Sequence, residues 1–158
     1  MQVLILYYSR GGNTRQLAEK IAAGVESTGV TPVLKSTAEV TKDDFLAAAG
    51  VIAGSPVYFG VMAAELKKVF DEFVGIRKKM ENKVGAAFAT SGHPTGGKET
   101  TIMSILQCMF IYGMIIVGDP MNASGHYGVA SLGAPDETAA SDGFELGRRV
   151  AELCRQLG

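Results

Sequence analysis

One repeated contrast constrains this chain more than any other feature. Short, continuous apolar runs alternate with longer amphipathic stretches, and no internal repeat competes with that rhythm. Val3-Leu4-Ile5-Leu6-Tyr7-Tyr8 shows no polar alternation, as a strand buried on both faces requires. Leu17, Ala18, Ile21, Ala22 and Val25 then recur three and four apart, which predicts a helix over 14–27. A short strand through Pro32-Val33-Leu34 follows, and Thr41-Lys42-Asp43-Asp44 reads as a capped helix start before Phe45-Leu46. A third strand covers 49–54 and ends in Ser55-Pro56. Leu66, Val69, Phe70 and Phe73 define the next helix, and 84–89 the next strand. An apolar helix over 98–111, a strand over 114–117 and a closing helix patterned by Phe144, Val150, Ala151, Cys154 and Leu157 complete the series. Five β/α units in succession call for a parallel sheet, because right-handed crossovers lay helices on both of its faces. The expected fold is α/β: a doubly wound, five-stranded parallel sheet in the order 2-1-3-4-5, with residues 1–158 as a single domain. Ligands of such a sheet bind at the carboxyl ends of strands 1, 3 and 4, around the switch point.

Composition removes several function classes. Lys plus Arg (15) nearly cancels Asp plus Glu (16), leaving a net charge of −1. That balance offers nucleic acid no basic stripe. It also lacks the strongly acidic surface that steers an electron carrier toward basic partners. No apolar run approaches the roughly 18 residues of a membrane helix, and the chain opens straight into a strand with no leader pattern. A soluble, cytoplasmic protein with no membrane and no nucleic-acid partner is the expectation. Cys108 and Cys154 lie far apart, outside any CxxC or Cys/His cluster, so they read as reduced, buried thiols and no metal site is expected. The 20 glycines are an excess without matching proline, the mark of loops where backbone approaches something closely.

The loops after strands 1, 3 and 4 are the unusual ones. In Ser9-Arg10-Gly11-Gly12-Asn13-Thr14, two glycines let successive N–H groups turn inward beside a helix N-terminus. The hydroxyls of Ser9 and Thr14 flank them, which makes a cradle for a phosphate dianion. In Ser55-Pro56-Val57-Tyr58-Phe59-Gly60, two aromatics stand at the sheet edge, where a planar aromatic ligand would give them a partner. Thr90-Ser91-Gly92-His93-Pro94-Thr95-Gly96-Gly97 contains the spacing GxxxxGK, but Glu99 follows the lysine where Mg²⁺ binding needs Ser or Thr. Nucleotide hydrolysis is therefore rejected. GxGxxG, HExxH and GxSxG are absent, so dinucleotide-fold, zincin and hydrolase readings have no motif. One phosphate cradle without a pyrophosphate motif suits a mononucleotide better than a dinucleotide.

These stretches resemble the flavodoxin-like proteins and, in detail, the WrbA-like type IV NAD(P)H:quinone oxidoreductases. The resemblance rests on Leu6-Tyr7-Tyr8-Ser9 with Gly12, on 54–63, on Phe88-Ala89-Thr90-Ser91-Gly92 leading to Gly96-Gly97-Lys98-Glu99, on 112–118, and on Tyr127-Gly128 with Gly133-Ala134-Pro135-Asp136. It implies FMN as cofactor. Its phosphate falls on Ser9, Arg10, Gly11, Gly12, Asn13 and Thr14. Its ring and ribityl contacts fall on Pro56, Val57, Tyr58, Phe59 and Gly60 and on Thr90, Ser91, Gly92, His93, Gly96 and Gly97. It also implies two-electron reduction of quinones by NAD(P)H and a homodimer or homotetramer.

The chain departs from the family pattern at several points. It is shorter between strands 2 and 3, it has no Trp, and its loop around His93-Pro94 is lengthened. Tyr112 stands where the family has a histidine reaching a neighbouring subunit, so Tyr112 is the expected inter-subunit contact. His93 is the candidate to hydrogen-bond a quinone oxygen or only to brace its loop. His126 is a weaker candidate or a plain surface residue. Lys78 and Lys79 fit either a solvated helix end or a contact to a 2′-phosphate. The alternative function is a flavodoxin-type electron-transfer protein. Against it, segments 55–62 and 90–97 hold no acidic residue for docking a basic partner.

Overall fold

The computed structural model describes residues 1–158. In chain order the elements are β1 (Gln2–Tyr7), α1 (Asn13–Glu26), β2 (Thr31–Ser36), α2 (Lys42–Ala47), β3 (Gly50–Tyr58), β4 (Val61–Met62) and α3 (Ala64–Glu72). A 3-10 segment (Val74–Met80) leads to β5 (Val84–Ser91), α4 (Lys98–Ile111), β6 (Ile115–Ile116), β7 (Val129–Leu132) and α5 (Glu137–Leu157). The main sheet runs β2-β1-β3-β5-β6, all parallel, with β4 turned back antiparallel on β3. This is the expected doubly wound order, with five strand positions.

Strand alternation divides the core into two layers. Val3, Ile5 and Tyr7 face α1 and α5, where they join Leu17, Ile21, Phe88, Leu146 and Val150. Leu4 and Leu6 face α2, α3 and α4, among Phe45, Phe70, Ile105 and Met109. The short α2 is fixed at both ends. Thr41 and Asp44 form a reciprocal capping box. At its other end the Lys83 ammonium donates to the carbonyls of Phe45, Leu46 and Ala48, and burial holds its pKa below the usual lysine value.

Three expectations need correction. The third strand does not stop at Ser55-Pro56 but continues to Tyr58, because Ser55 and Pro56 still pair with Ala89 and Thr90 of β5. The fifth position is not one strand over 114–117. β6 covers two residues beside Val84 and Gly85, the chain leaves the sheet over 117–128, and β7 resumes beside 88–91. In α5 the buried stripe is Ala139, Gly143, Leu146, Gly147, Val150, Ala151 and Cys154, while Phe144 is half-buried and Leu157 exposed. Gly147 stands in that stripe because α5 lies almost against the α1 backbone there. Cys154 is buried as expected, and Cys108 is only half-buried.

Candidate functional site

Three segments converge at the carboxyl edge of the sheet. Loop 9–14 after β1, the end of β3 at Pro56, Val57 and Tyr58, and the end of β5 at Thr90 and Ser91 with Gly92 enclose a cavity of about 130 Å³. These were the loops that the strand order placed at the switch point. At the floor of the cavity the hydroxyls of Thr14 and Thr90, 76 residues apart in sequence, lie 2.8 Å apart in a buried hydrogen bond.

Loop 9–14 has the physical properties of an anion cradle. Gly12 adopts φ 95°, a left-handed conformation that side-chain-bearing residues rarely reach, and its N–H donates to Ser9 Oγ at 3.0 Å. Helix α1 then begins without a side-chain cap and without an acidic residue in its first turn, whereas each of the other four helices carries Asp or Glu there. Its first-turn N–H groups are left for a ligand, and nothing negative competes with an anion. Arg10 is exposed at the mouth, and Arg15 is spent on Glu19 at 3.0 Å. Gly11 lines the cavity but leaves open space where a Cβ would stand, so the turn depends on Gly12 rather than on both glycines.

The second wall is a β-hairpin, not an open loop. Val57 pairs with Met62 and Tyr58 with Val61, leaving Phe59 and Gly60 as a two-residue turn with φ 51° and 79°. Two positive φ values make it a type I′ turn. A phenylalanine in that conformation is strained, and this one is also fully exposed. Helix α4 holds it there. Thr100 Oγ1 donates to Gly60 O at 2.6 Å, and Ser104 Oγ accepts from Met62 N at 3.0 Å. Ser55 Oγ accepts from Ala63 N at 2.8 Å on the far side. Tyr8 meets Tyr58 edge to face at 6.3 Å, and its hydroxyl is held above the ordinary tyrosine range by a hydrogen bond to Glu65 and then by burial.

The third wall is the compact loop 91–97. Gly133 N donates to Ser91 O at 2.7 Å, which ties the loop to the end of β7. Ser91 Oγ bonds the backbone of His93, donating to its carbonyl at 2.9 Å and accepting from its N–H at 3.1 Å. His93 therefore braces the loop through its main chain. Its side chain is exposed and lies outside the cradle lining. Gly96 packs onto Ser91 Oγ, and Gly97 touches Gly60 at the start of α4, so the hairpin and this loop support one another.

Tyr112 does not stand where its expected role requires. It is 3 % exposed, its ring packs on Phe70, and its hydroxyl donates to Phe70 O at 2.6 Å. Burial pushes its pKa up to about 12. It closes the C-terminal end of α4, fourteen residues and about 21 Å from the cradle end. Lys78 is at that far end too, beside Ile111, Tyr112 and Gly113. His126 is exposed on the 117–128 excursion, across loop 91–97 from the cradle. Sequence reading missed Thr100, Ser104 and Ser55 as supports of the hairpin. Isolated hydroxyls carry no local signal for such partners, which lie 40 and 42 residues away for Thr100 and Ser104 and 8 away for Ser55.

Comparison with known proteins agrees with this geometry. A family model described as NADPH-dependent FMN reductase matches residues 31–128, more than half of the chain. An NAD(P)H dehydrogenase (quinone) of Archaeoglobus fulgidus is 32% identical over 99% of this chain and 98% of its own. A flavodoxin of Aquifex aeolicus is 35% identical over 96% of this chain and 85% of its own. Among solved structures, a flavodoxin, WrbA-like protein from Agrobacterium tumefaciens superposes with TM-score 0.86 at 23% identity, covering 99% of each chain. On the sheet order, the family match and these relatives, the chain belongs to the NADPH-dependent FMN reductase family and has the flavodoxin fold.

Proposed function

We propose that this protein is an FMN-dependent oxidoreductase that passes two electrons from NAD(P)H to a quinone. The observation that carries the reading is the convergence of an uncapped, acid-free helix start with two uncharged walls around one cavity. Loop 9–14 holds the phosphate through the N–H groups of α1 and the Ser9 and Thr14 hydroxyls. Pro56, Val57 and Tyr58 on one side, and Thr90, Ser91 and Gly92 on the other, flank the ring, with Phe59 and Gly60 at the exposed tip. FMN held there would supply the hydride-transfer chemistry, and the chain supplies position and electrostatics. Thr100 and Ser104 fix the hairpin so that its aromatic face is presented at no further ordering cost during the reaction. The balance is NAD(P)H, one proton and quinone giving NAD(P)⁺ and hydroquinone, the proton coming from solvent.

A flavodoxin-type electron-transfer protein is the second reading, favoured by the Aquifex aeolicus flavodoxin at 35% identity. One experiment separates the two. NADH or NADPH added to the FMN-loaded protein should bleach the flavin absorbance, and benzoquinone should restore it. No bleaching by either nucleotide selects the shuttle. The cradle is tested apart from turnover: Thr14→Asp places a carboxylate beside the phosphate and should weaken FMN binding at least about a hundredfold. Wild-type FMN affinity in that variant would overturn the cradle assignment.

The same proposal includes self-association through α4. After Glu99 this helix carries no charge, yet Met103, Phe110 and Ile111 remain exposed on it. That surface suits a homodimer or homotetramer whose substrate pockets lie at the subunit boundary.

A further inference from the structure

A second cavity, of about 200 Å³, lies on the other side of loop 91–97 from the cradle. The 117–128 excursion, the first turn of α4 and Asp142 of α5 enclose it. The loop links the two in sequence: Ser91 and Gly92 line the cradle, and Lys98, the first residue of α4 directly after Gly97, lines the second cavity. Asp119 in its wall is only 7 % exposed, and neither carboxylate oxygen has a hydrogen-bond partner. Arg149 leaves it unpaired, donating to the Asp119 backbone carbonyl instead. A buried carboxylate without a donor is costly and rare in folded proteins, which makes it a sign of an unfilled site. Across the cavity Asp142 is held by the N–H and hydroxyl of Ser124. Tyr127 stands half-exposed at the rim.

The cavity is compact and carries three carboxylates, Glu99, Asp119 and Asp142, in its wall. It suits one sugar-sized group that brings hydroxyl donors. We propose that this cavity receives the adenosine ribose of the nicotinamide donor, its hydroxyls donating to Asp119 and Asp142, so that NADH is preferred over NADPH. The proposal rests on the NAD(P)H reading of the neighbouring cradle. Acidic side chains accept from the ribose 2′-hydroxyl in nicotinamide sites, whereas a 2′-phosphate calls for a basic one. Here a 2′-phosphate would face Asp119, Asp142 and Glu99, with Lys98 as the lysine of the lining. The basic run of Arg77, Lys78 and Lys79 cannot compensate, because it lies at the opposite end of α4. Lys98 in the lining would meet the diphosphate, and the half-exposed Tyr127 ring would offer a face for adenine.

Calorimetric titration of the FMN-loaded protein with ADP-ribose and with 2′-phospho-ADP-ribose tests the site without turnover. We expect ADP-ribose to bind about tenfold or more tightly than its phosphorylated analogue, and NADH to bleach the flavin with a correspondingly higher kcat/KM. Asp119→Asn should weaken ADP-ribose while FMN affinity stays unchanged. Asp142→Lys should shift the preference toward the 2′-phosphorylated ligands, a gain that misfolding cannot mimic. Equal affinity for the two probes, or an unaltered ratio in both variants, overturns the inference. If NADPH bleaches the flavin as fast as NADH, the proposed function stands and this inference falls. If neither nucleotide bleaches it, both fall.

Discussion

The two faces of the sheet are covered in different ways. On one side α1 and α5 pack as a pair so close that a Cβ on Gly147 would lie 2.0 Å from the Ile21 carbonyl oxygen, and one on Gly24 would lie 1.9 Å from that of Phe144. Charge on these helices is turned outward into local pairs, Arg15 with Glu19 and Arg148 with Glu145 and Glu152. On the other side α2, α3 and α4 cover the sheet without such intimacy. They leave Val61, Val74, Phe110 and Ile111 at least half exposed. The first face is finished within the chain. The second supports the hairpin wall of the cradle and still offers apolar surface. Backbone contact seals one face, and side-chain contact leaves apolar surface on the other.

The largest effect is expected where the sealed face is opened. Gly147→Ala would gain up to about 1 kcal/mol of helix propensity. Against that, a Cβ at 2.0 Å from main-chain oxygen forces α1 and α5 apart and disturbs Leu17, Ile21 and Val150 beneath them. The clash wins, and urea unfolding should show a loss of about 3 kcal/mol. A loss below 0.5 kcal/mol would mean that the pair is not in backbone contact. The open face has one comparable point of fixation, Lys83. Lys83→Met keeps the stem and removes three hydrogen bonds from the end of α2, leaving those carbonyls unpaired. We expect a loss of about 2 kcal/mol, with Phe45 losing protection in hydrogen exchange.

These two positions also show what could be seen in the sequence. The β/α alternation was legible because periods of 2 and 3.6 are written locally, and loop 9–14 because its glycines and hydroxyls lie within six residues. Gly147 and Lys83 gave no such sign; each matters through an element far away in the chain. The same holds for the split fifth strand. Ile115-Ile116 and Val129-Ala130-Ser131-Leu132 are each too short to register alone, and only their common neighbour β5 makes them one position. Tyr112 was misread because a helix-end aromatic points in or out according to a distant acceptor, here the Phe70 carbonyl. The second cavity draws on α4, α5 and the excursion between β6 and β7, and no spacing rule reaches across all three.

A smaller effect, dependent on pH, belongs to the sealed side, where α5 meets the excursion. Burial first and Asp142 second raise the Asp119 pKa from 3.8 to about 6, while Arg149 and His126 oppose the shift. A folded pKa above the unfolded one means that the contribution is fully present below pH 3.8 and is lost as pH rises through about 6. The unfolding midpoint of the wild type should therefore fall relative to that of Asp119→Asn between pH 4 and 7, with the two curves parallel above that window. Parallel curves throughout would show that Asp119 has a proton-independent environment.

The smallest change in folded stability is expected on the open face, from Phe110→Ser and Ile111→Ser together. Both side chains are more than half exposed, so little of their apolar area was removed from water by folding, and stability should stay within about 0.5 kcal/mol. Ser104 and Thr100, which hold the hairpin, lie toward the other end of the same helix, so FMN affinity should not move. What should change is association. A stable protein–protein contact needs a desolvated apolar centre, and on this helix, which carries no charge after Glu99, these two are the most exposed large apolar residues. Light scattering at micromolar concentration should show the wild type as a dimer or tetramer and the double variant as a monomer with the same unfolding midpoint. A variant that keeps the wild-type mass would move the interface elsewhere. A variant that loses several kcal/mol would show that the two residues are covered within a single chain, and the contrast between the two faces would disappear.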